Sequence, residues 1–329
     1  MKTLLAFGLL LIGACATPES DATFVADVAY DTVAEVGQPD EANPLFIYEV
    51  PLGLQLIDES TVLYADSKGG SLTAVDLLSG AGWQVRDKGG EGPGEFGGRQ
   101  LWFSESNGVI YTASQGGQAA TRSLSGELLE ARRYREFIID DQGFALPRGL
   151  LDSGVLVAHF WERLGWTLNE TQELKQGFRA YSPDHGVLWS YEDVPPIVGY
   201  RERRSGNTTG SVTLSGDGVG ADARHGTVAI VKNEENWLVA LNADGSERAR
   251  VELPYNAYKV FIDADERIWV EVWAKNEKEK TGSYIVLDRD LNTLMYVAER
   301  GVRDARGDYL VTTKRDSLDV THIYLLKRR

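Results

Sequence analysis

The side chains that most often carry out chemistry are few and scattered in this sequence. The histidines show neither a His-x-His pair nor a His-Glu-x-x-His helix, which are spacings typical of zinc sites. No Gly-x-Ser-x-Gly turn marks a serine nucleophile. The sequence therefore predicts no catalytic residue and no metal ligand, and it favours a non-enzymatic role. The histidines are His159, His185, His225 and His322.

Glu91 and Glu95 are the first candidates for a binding site. They flank Gly-Pro-Gly in a glycine-rich run at residues 88–96. Two interpretations stay open: both carboxylates face a pocket and bind a cation or a sugar, or the run is only a tight turn between two structural repeats. It is not a phosphate-binding loop, because no Lys-Ser or Lys-Thr and no helix follow it.

A basic cluster provides the second group of candidates. Tyr200, Arg201, Arg203 and Arg204 lie in an unusually long connection between two repeats of an otherwise acidic chain. Guanidinium groups bind carboxylates and other anions, so this cluster is a candidate site for an anionic glycan or for acidic residues of a partner protein. The alternative is a solvated loop without a ligand.

Aspartates recur at the first turn of the repeats, which raises the question of a calcium site. In a ring of repeats, side chains that are distant in sequence can meet in a central channel and bind calcium together. The turn preference of aspartate explains the same recurrence without a metal, and we prefer that explanation. The aspartates are Asp58, Asp152, Asp222, Asp263 and Asp304.

Cys15 is the only cysteine of the chain, so the protein contains no intrachain disulfide. A lysine at position 2 and about eleven apolar residues at 4–14 precede it. This stretch is typical of a secretory signal and is shorter than the about 20 residues of a membrane-spanning helix. Residues 12–15, Ile-Gly-Ala-Cys, resemble the lipobox of bacterial lipoproteins. The resemblance implies cleavage after residue 14, a lipid on Cys15 and, with Ala16 next, transport to the outer membrane.

Charge and composition limit the partners and divide the chain. The formal net charge of −15 disfavours nucleic acid, which needs clustered basic residues, and leaves the lipid anchor as the expected membrane contact. Residues 15–43 are polar and acidic, and we expect them to form a tether. The whole chain is 43% apolar, and the remaining residues, 44–329, are numerous enough to form a core without disulfides.

A strand, a tight turn and a second strand recur six times along residues 44–329. A second hairpin follows each of the first five copies, which gives four strands every 40 to 47 residues, roughly the period of a propeller blade. The sequence therefore predicts an all-β fold, a six-bladed β-propeller with four-stranded antiparallel blades; a pair of β-sandwiches is the alternative. The copies are 54–64, 101–111, 149–157, 221–230, 260–270 and 302–311.

The sixth repeat ends one strand short, because the chain stops soon after the apolar segment 321–326. A propeller closes its ring when an N-terminal strand completes the last blade, which also removes an exposed sheet edge. Residues 45–50, Leu-Phe-Ile-Tyr-Glu-Val, are the predicted closing strand. We expect a monomer.

The run Glu-Gly-Pro-Gly-Glu-Phe at 91–96 resembles a hallmark of bacterial six-bladed propeller lipoproteins related to NHL-repeat proteins. The last repeat, at 315–325, is also similar to that family. The resemblance implies the propeller fold and export, and it implies no activity.

Together these patterns predict an exported, lipid-anchored propeller of the cell envelope that binds a protein or a glycan. The alternative is a lactonase-like hydrolase or lyase that uses a divalent cation in the central channel. No cofactor is predicted, and calcium is the only one left open.

Overall fold

A computed structural model describes most of the chain outside the N-terminal segment. The described residues are 26–36, 51–66, 70–86, 92, 94–95, 101–114, 117–134, 143–162, 171–202, 211–215, 219–232, 235–273, 283–317 and 321–329. Within these ranges no helix is long and apolar enough to cross a membrane. The predicted signal segment 1–14 and Cys15 lie outside the described residues.

Each of the first three blades is a four-stranded antiparallel sheet whose strands are ordered as they occur in the chain, with β12 (Thr171–Leu174) left out of blade 3. Blade 1 contains β2 (Pro51–Leu56), β3 (Thr61–Asp66), β4 (Ser71–Asp76) and β5 (Gly82–Arg86). Blade 2 contains β6 (Leu101–Ser106), β7 (Val109–Ser114), β8 (Gln118–Ser123) and β9 (Leu128–Arg133). Blade 3 contains β10 (Gly143–Leu150), β11 (Leu156–Glu162), β13 (Gln176–Ser182) and β14 (Gly186–Tyr191), with a short 3-10 helix at Asp152–Gly154.

The last three blades repeat this design, and the prediction of a six-bladed propeller is confirmed. Blade 4 contains β17 (Val219–Arg224), β18 (Thr227–Lys232), β19 (Trp237–Asn242) and β20 (Glu247–Glu252). Blade 5 contains β21 (Asn256–Ile262), β22 (Ile268–Trp273), β23 (Ser283–Leu287) and β24 (Thr293–Val297). Blade 6 contains β25 (Val302–Arg306), β26 (Tyr309–Arg315), β27 (Thr321–Arg328) and the N-terminal strand β1 (Tyr30–Val36).

The ring closes through β1, as the predicted type of closure requires, but with a different strand from the predicted one. β1 pairs antiparallel with β27, from Tyr30 opposite Arg328 to Val36 opposite Ile323. The predicted closing strand, residues 45–50, lies outside the described residues. Since β1 is in the segment 15–43 that the sequence predicts as a tether, the propeller begins N-terminal to the predicted boundary at residue 44.

The long connection after blade 3 forms a small additional sheet. β12 (Thr171–Leu174), β15 (Ile197–Glu202) and β16 (Ser211–Ser215) pair in the order β12-β15-β16. Leu174 and Ile197 are buried against Trp161, which belongs to β11 of blade 3. This accessory sheet is therefore packed on blade 3.

Tight hairpins and tryptophans connect neighbouring blades at the rim. Trp83 of blade 1 donates its indole N–H to the Leu124 carbonyl of blade 2 at 2.7 Å. Gly126 beside it has φ +84°, and a Cβ there would lie 2.8 Å from the Trp83 ring. The same arrangement joins blades 3 and 4, where a Cβ on Gly245 would lie 2.6 Å from Trp189. Only glycine fits both the positive φ and the ring contact at these turns.

Candidate functional site

The inner strands of the six blades form the wall of a central channel. β2, β6, β10, β17, β21 and β25 contact one another in sequence around the ring. The channel contains a cavity of about 360 Å³ whose wall is rich in charged side chains. Four of its residues are cationic and two are acidic: Arg148, Arg224, Lys259, Arg303, Asp222 and Glu271.

A buried ion pair crosses the channel beside this cavity. Arg224 of blade 4 donates Nη1–H to both carboxylate oxygens of Asp304 of blade 6, at 2.9 and 3.0 Å. Each residue is 1% exposed. The same Nη1 lies 3.3 Å from the Ile262 carbonyl oxygen of blade 5. Because blade 5 separates blades 4 and 6 in the ring, this pair spans the channel rather than a single interface between blades.

A second ion pair crosses the channel on the other side of blade 6. Arg306 donates Nη2–H to Glu105 of blade 2 at 2.8 Å, although blade 1 lies between their blades. Glu105 also accepts the backbone N–H of Gly108 at 3.0 Å. Both arginines, Arg224 and Arg306, end their inner strands.

Two aspartates of the inner strands accept hydrogen bonds from the backbone of the next blade. Asp304 accepts the backbone N–H of Leu56, and Asp222 accepts that of Ile262, both at 2.7 Å. Burial raises the pKa of each carboxyl to about 6, against the attraction of Arg224. Both carboxyls remain ionised at neutral pH. The bond from Asp304 to Leu56 joins the last blade to the first.

The recurring aspartates therefore do not share one role. Asp58 and Asp263 accept backbone N–H groups within their own turns, as the turn interpretation predicts. Asp222 and Asp304 lie in β17 and β25 and contact neighbouring blades, so for them the assignment to a turn was wrong. Among the residues that the structure describes, no three His, Cys, Asp or Glu side chains converge as metal ligands.

The N–H groups of Arg224 are only partly paired. While Nη1 binds Asp304 and Ile262, Nε and Nη2 are buried and have no hydrogen-bond partner. Arg148, which lines the same cavity, likewise has a buried Nε without a partner. Burial lowers the pKa of Arg148 without removing its charge at neutral pH. Unpaired buried donors are unusual in folded proteins. These three each have less than 1 Å² of accessible surface, so they are sealed within the wall and are not open to the cavity.

Arg148 is supported by a chain of hydrogen bonds from the accessory region. Its Nη2 lies 3.3 Å from Nδ1 of His159, and Nε2 of His159 lies 2.7 Å from the side-chain oxygen of Gln176. Gln176 in turn donates to the Pro195 carbonyl oxygen at 2.5 Å. Because an arginine can only donate, His159 must accept at Nδ1 and carry its proton on Nε2. Burial and the charge of Arg148 lower the pKa of His159 to about 4, which keeps the ring neutral.

The predicted glycine-rich run is held by blade 2. Arg122 donates Nη2–H to the Gly94 carbonyl at 2.7 Å and Nη1–H to the Gly126 carbonyl at 3.1 Å. Glu95 folds back on the same turn, with its carboxylate 3.4 Å from the Gly92 nitrogen. These contacts favour the turn interpretation for Glu95. Glu91 lies outside the described residues.

The predicted basic cluster is described only in part. Tyr200 and Arg201 lie in β15 of the accessory sheet, opposite Thr213 and Val212 of β16. Arg203 and Arg204 lie outside the described residues. Tyr200 and Arg201 thus belong to the accessory sheet and Glu95 to the turn before blade 2, which are separate elements of the fold.

A second group of charges lies at the exposed rim between blades 3 and 4. Arg250 donates Nε–H and Nη2–H to the two oxygens of Glu247, at 3.1 and 2.7 Å. Its Nη2 also contacts Asp193 and the Tyr191 hydroxyl. Hydrogen bonds from Arg250 hold the pKa of the Asp193 and Glu247 carboxyls low, and the same bonds to Glu247 and Asp193 raise the pKa of the guanidinium. The edge of the Arg250 guanidinium that is formed by Nε and Nη2 is thus fully hydrogen-bonded.

Comparisons with known proteins establish the fold only. No protein-family model matches the sequence, and no curated protein sequence matches it. A solved structure from Bacteroides fragilis, of a protein whose name describes it as exported, is 12% identical with a TM-score of 0.50 and covers 93% of this chain and 98% of its own. A member of the DUF4221 family from Bacteroides vulgatus is 10% identical with a TM-score of 0.49, at 92% and 98% coverage.

A third similar structure is named as the calcium-binding protein regucalcin from Agrobacterium tumefaciens. It is 16% identical with a TM-score of 0.42 and covers 91% of this chain and 96% of its own. At these identities the similarity is one of architecture, because blades of the same shape carry unrelated sites.

The channel arginines were not among the residues predicted from the sequence, although a signal for them exists. Asp-Ala-Arg occurs twice, at 222–224 and 304–306, each time at the end of an inner strand and just before its turn. A position that repeats between blades returns to the same level of the channel, so this repeat places charged side chains there twice. Arg148 carries no comparable signal.

Proposed function

We propose that this protein is a non-enzymatic binding propeller of the cell envelope, anchored by a lipid on Cys15, and that its ligand enters the central cavity. The observation that carries this proposal is the cavity of the central channel, whose wall combines four cationic and two acidic side chains. Small-molecule sites are concave and contain a few converging polar groups, which is the arrangement found here.

The size of the cavity favours a glycan over a protein as the ligand. A volume of about 360 Å³ suits one or two sugar units. A protein partner would bury roughly 800 Å² of each surface and would depend on the outer faces of the blades, not on the interior of the channel. We therefore assign the cavity to the terminal part of a glycan chain.

The proposal is tested with the full-length protein in detergent and a panel of neutral and acidic oligosaccharides. Lys259→Trp, at an exposed position that lines the cavity, reduces the space available to a ligand. Lys327→Trp, at an exposed position of the last blade, makes the same exchange away from the cavity. We expect at least one oligosaccharide to bind the parent and the Lys327 variant with similar affinity. The same oligosaccharide should bind the Lys259 variant at least about tenfold more weakly.

Equal binding by the two tryptophan variants, or no binding across the panel, would contradict the cavity as the binding site. Capture of an oligosaccharide followed by its chemical conversion would favour the hydrolase or lyase alternative instead.

The lipid anchor has a separate test. Cys15→Ser removes the acceptor of the lipid, and a single apolar segment of about eleven residues cannot replace it as a spanning helix. We expect most of the protein to move from the membrane fraction to the soluble fraction, without a change in glycan binding. Full retention of the serine variant in membranes, after a high-salt wash, would argue against the anchor.

The alternative of a cation-dependent hydrolase or lyase has less support from the described residues. A calcium ion needs six to eight oxygen ligands, roughly, with several from carboxylates. In the channel, Asp304 is committed to Arg224 and Leu56, and Asp222 accepts Ile262. A cation would have to displace these contacts and would meet four cationic side chains in the cavity wall.

A further inference from the structure

We propose that a pocket between blades 2 and 3 is a second binding site, which takes a small, uncharged aromatic molecule that carries an O–H or N–H group, such as a phenol or an indole. This site is separate from the channel cavity and does not depend on the proposed function.

The pocket lies where blade 2 lacks a large side chain that the next three blades have. The third strands of blades 2 to 5 share a register shift, which follows Thr121, Ala180, Ala240 and Val286. Two residues before that shift, blades 3, 4 and 5 place a large side chain in the core towards the next blade: Phe178, Leu238 and Tyr284.

Blade 2 has Ala119 at this position, in the core between blades 2 and 3. The space beside it is a pocket of about 240 Å³. Ala119 is 8% exposed, whereas the three large residues are at most 2% exposed. Part of the Ala119 surface is therefore open to the pocket, where the other blades are filled by protein.

Two tyrosine rings form walls of the pocket. Tyr111 and Tyr134 line it together with Ala120 and Pro183. Gly154 of blade 3 lies against both rings, because its carbonyl accepts the Tyr134 hydroxyl at 2.6 Å and a Cβ on it would lie 3.3 Å from the Tyr111 ring. A dry cavity of about 150 Å³ holds a benzene ring, so this pocket of about 240 Å³ has room for a ring of the size of indole. Aromatic and apolar walls favour a flat, apolar ligand.

The polar groups of the pocket are accessible to a ligand. Glu130 and Arg132 line it and are exposed, and Tyr111 and Thr121 are half-buried. Arg132 donates Nε–H and Nη2–H to the two oxygens of Glu130, both at 2.7 Å, and Nη1–H to Asp184 of blade 3 at 2.9 Å. Each carboxylate oxygen of Glu130 has a further lone pair, so it can also accept an O–H or N–H of a ligand.

The charges at the opening disfavour an anionic ligand. Hydrogen bonds from Arg132 hold the pKa of the Glu130 carboxyl low, so it is ionised at neutral pH. Among the described residues at this opening, Glu130 and Asp184 give two negative charges against the one positive charge of Arg132. A ligand carboxylate would add a third negative charge, whereas a neutral ring with a donor group meets an acceptor.

The ligand side of the test compares rings of similar shape. Indole, phenol, indene (which lacks the N–H of indole) and benzoate are titrated by calorimetry into the full-length protein, in a detergent without aromatic groups. We expect indole and phenol to bind with a Kd below about 1 mM. Indene and benzoate should bind about three- to tenfold more weakly, because they lack the donor group. Absence of saturable binding overturns the proposal, and so does indene or benzoate that binds as tightly as indole.

The same ring can also be supplied by a tryptophan side chain of another protein. N-acetyltryptophanamide carries the indole ring together with the amide groups of a polypeptide. We expect it to bind no more tightly than indole, because the pocket has room for the ring alone. Tighter binding than that of indole would overturn the assignment to a small molecule.

The protein side uses Ala119→Leu, which gives blade 2 the side chain that blade 4 has in Leu238 and fills the pocket. Ala131→Leu is the matched control, at an exposed residue of β9 whose side chain points to the opposite face from Glu130 and Arg132. We expect indole binding to fall at least about tenfold in the Ala119 variant and to stay unchanged in the control. Thermal unfolding should give the Ala119 variant a Tm no lower than that of the parent, because the new side chain fills a cavity. Equal binding of indole by both variants overturns the proposal.

Two further variants test the site if Ala119→Leu does not fold. Tyr111→Leu removes one aromatic wall at a half-buried residue, and we expect indole to bind about three- to tenfold more weakly. Glu130→Gln keeps an acceptor oxygen at an exposed residue but removes its negative charge. We expect the preference for phenol over benzoate to fall about threefold or more in this variant. Unchanged binding by either folded variant overturns the proposal.

The two proposed sites are distinguished by Lys259→Trp, which narrows the channel cavity and leaves the pocket between blades 2 and 3 as it is. We expect this variant to bind indole as the parent does, whether or not the parent binds an oligosaccharide. Loss of indole binding in Lys259→Trp would place the ring in the channel and overturn the inference. Failure of the oligosaccharide panel alone would affect only the proposed function.

Discussion

Arg224 in the channel and Arg250 at the rim present the same guanidinium edge in opposite states. The edge of Arg250 is occupied by Glu247, and its surroundings are 31–60% exposed. The edge of Arg224 is buried and unpaired, while its third nitrogen is fixed by Asp304. The crowded charges at the rim thus satisfy one another's hydrogen bonds, whereas the buried arginine of the channel keeps N–H groups without a partner. The number of charges in a cluster therefore does not show whether its hydrogen bonds are satisfied.

The largest expected difference between the two regions appears when one carboxylate is removed from each. Asp304→Ala leaves the buried charge of Arg224 without its partner and also removes the acceptor of the Leu56 N–H, and we expect the free energy of unfolding to fall by about 3–5 kcal/mol. Asp193→Ala at the rim should cost about 1 kcal/mol or less, because its pairs are solvated. Denaturant unfolding of both variants measures the difference.

Asp304→Asn is the control for shape, since the amide oxygen can still accept from Leu56. It should lie between the parent and the alanine variant. Losses of similar size for Asp304→Ala and Asp193→Ala would show that the channel pair is not the stronger structural element.

The dependence of stability on pH tests the contact between His159 and Arg148 in the channel. The folded-state pKa of His159 is lowered to about 4 from 6.5, so the unfolded chain binds a proton that the folded ring resists. The stability that depends on the neutral ring is therefore present above about pH 6.5 and is lost as the pH falls towards 4, by up to about 3 kcal/mol. His159→Gln keeps an acceptor for Arg148 but does not titrate, and this variant should lack that loss.

Asp222 and Asp304 act in the opposite direction, because their raised pKa values stabilise the fold as the pH falls through about 6. Only the difference between the parent and His159→Gln isolates the histidine. Parallel stability curves for the two proteins between pH 7 and 4 would mean that His159 does not support Arg148 in this way.

The smallest expected effect is the coupling within the rim. A double-mutant cycle on Arg250 and Glu247 should give about 0.2–1 kcal/mol at low salt and less at 1 M salt, because half-exposed pairs are screened. The salt dependence of Asp304→Ala should be weaker, because its partner is buried. A salt-independent rim coupling above this range would remove the distinction between the two regions.

The blade pattern was predictable because each hairpin couples a buried, β-branched strand to a turn with Asp, Gly or Asn. The closing strand was not predictable, because outermost strands have few buried residues to reveal them: β1 contains only exposed and partly buried residues, and β9 is exposed throughout. The more apolar segment at 45–50 was chosen instead.

The site was predictable only in its parts. The sequence shows that Asp222 and Asp304 recur, but the turn preference of aspartate gave a sufficient explanation for them. Which side chains meet across the channel depends on the angle between blades 4 and 6, and no local pattern encodes that angle. The unpaired N–H groups of Arg224 follow from the packing around them and have no signature in the sequence.

Closure by β1 also determines how the protein would bear mechanical load. With a lipid on Cys15 as proposed, fourteen residues lie between the anchor and Tyr30, which reach at most about 50 Å when extended. Among the described residues, a pull between a bound glycan, as proposed, and the membrane would first act on Asp27, whose backbone N–H and carboxylate pair with the carbonyl and N–H of Tyr296 in blade 5. Next along the chain, the side chain of Arg329 donates to Asp31 and its backbone N–H donates to the Ala29 carbonyl oxygen. These hydrogen bonds lie where the ring closes, so a force applied through the N-terminal segment would act on the closure of the propeller.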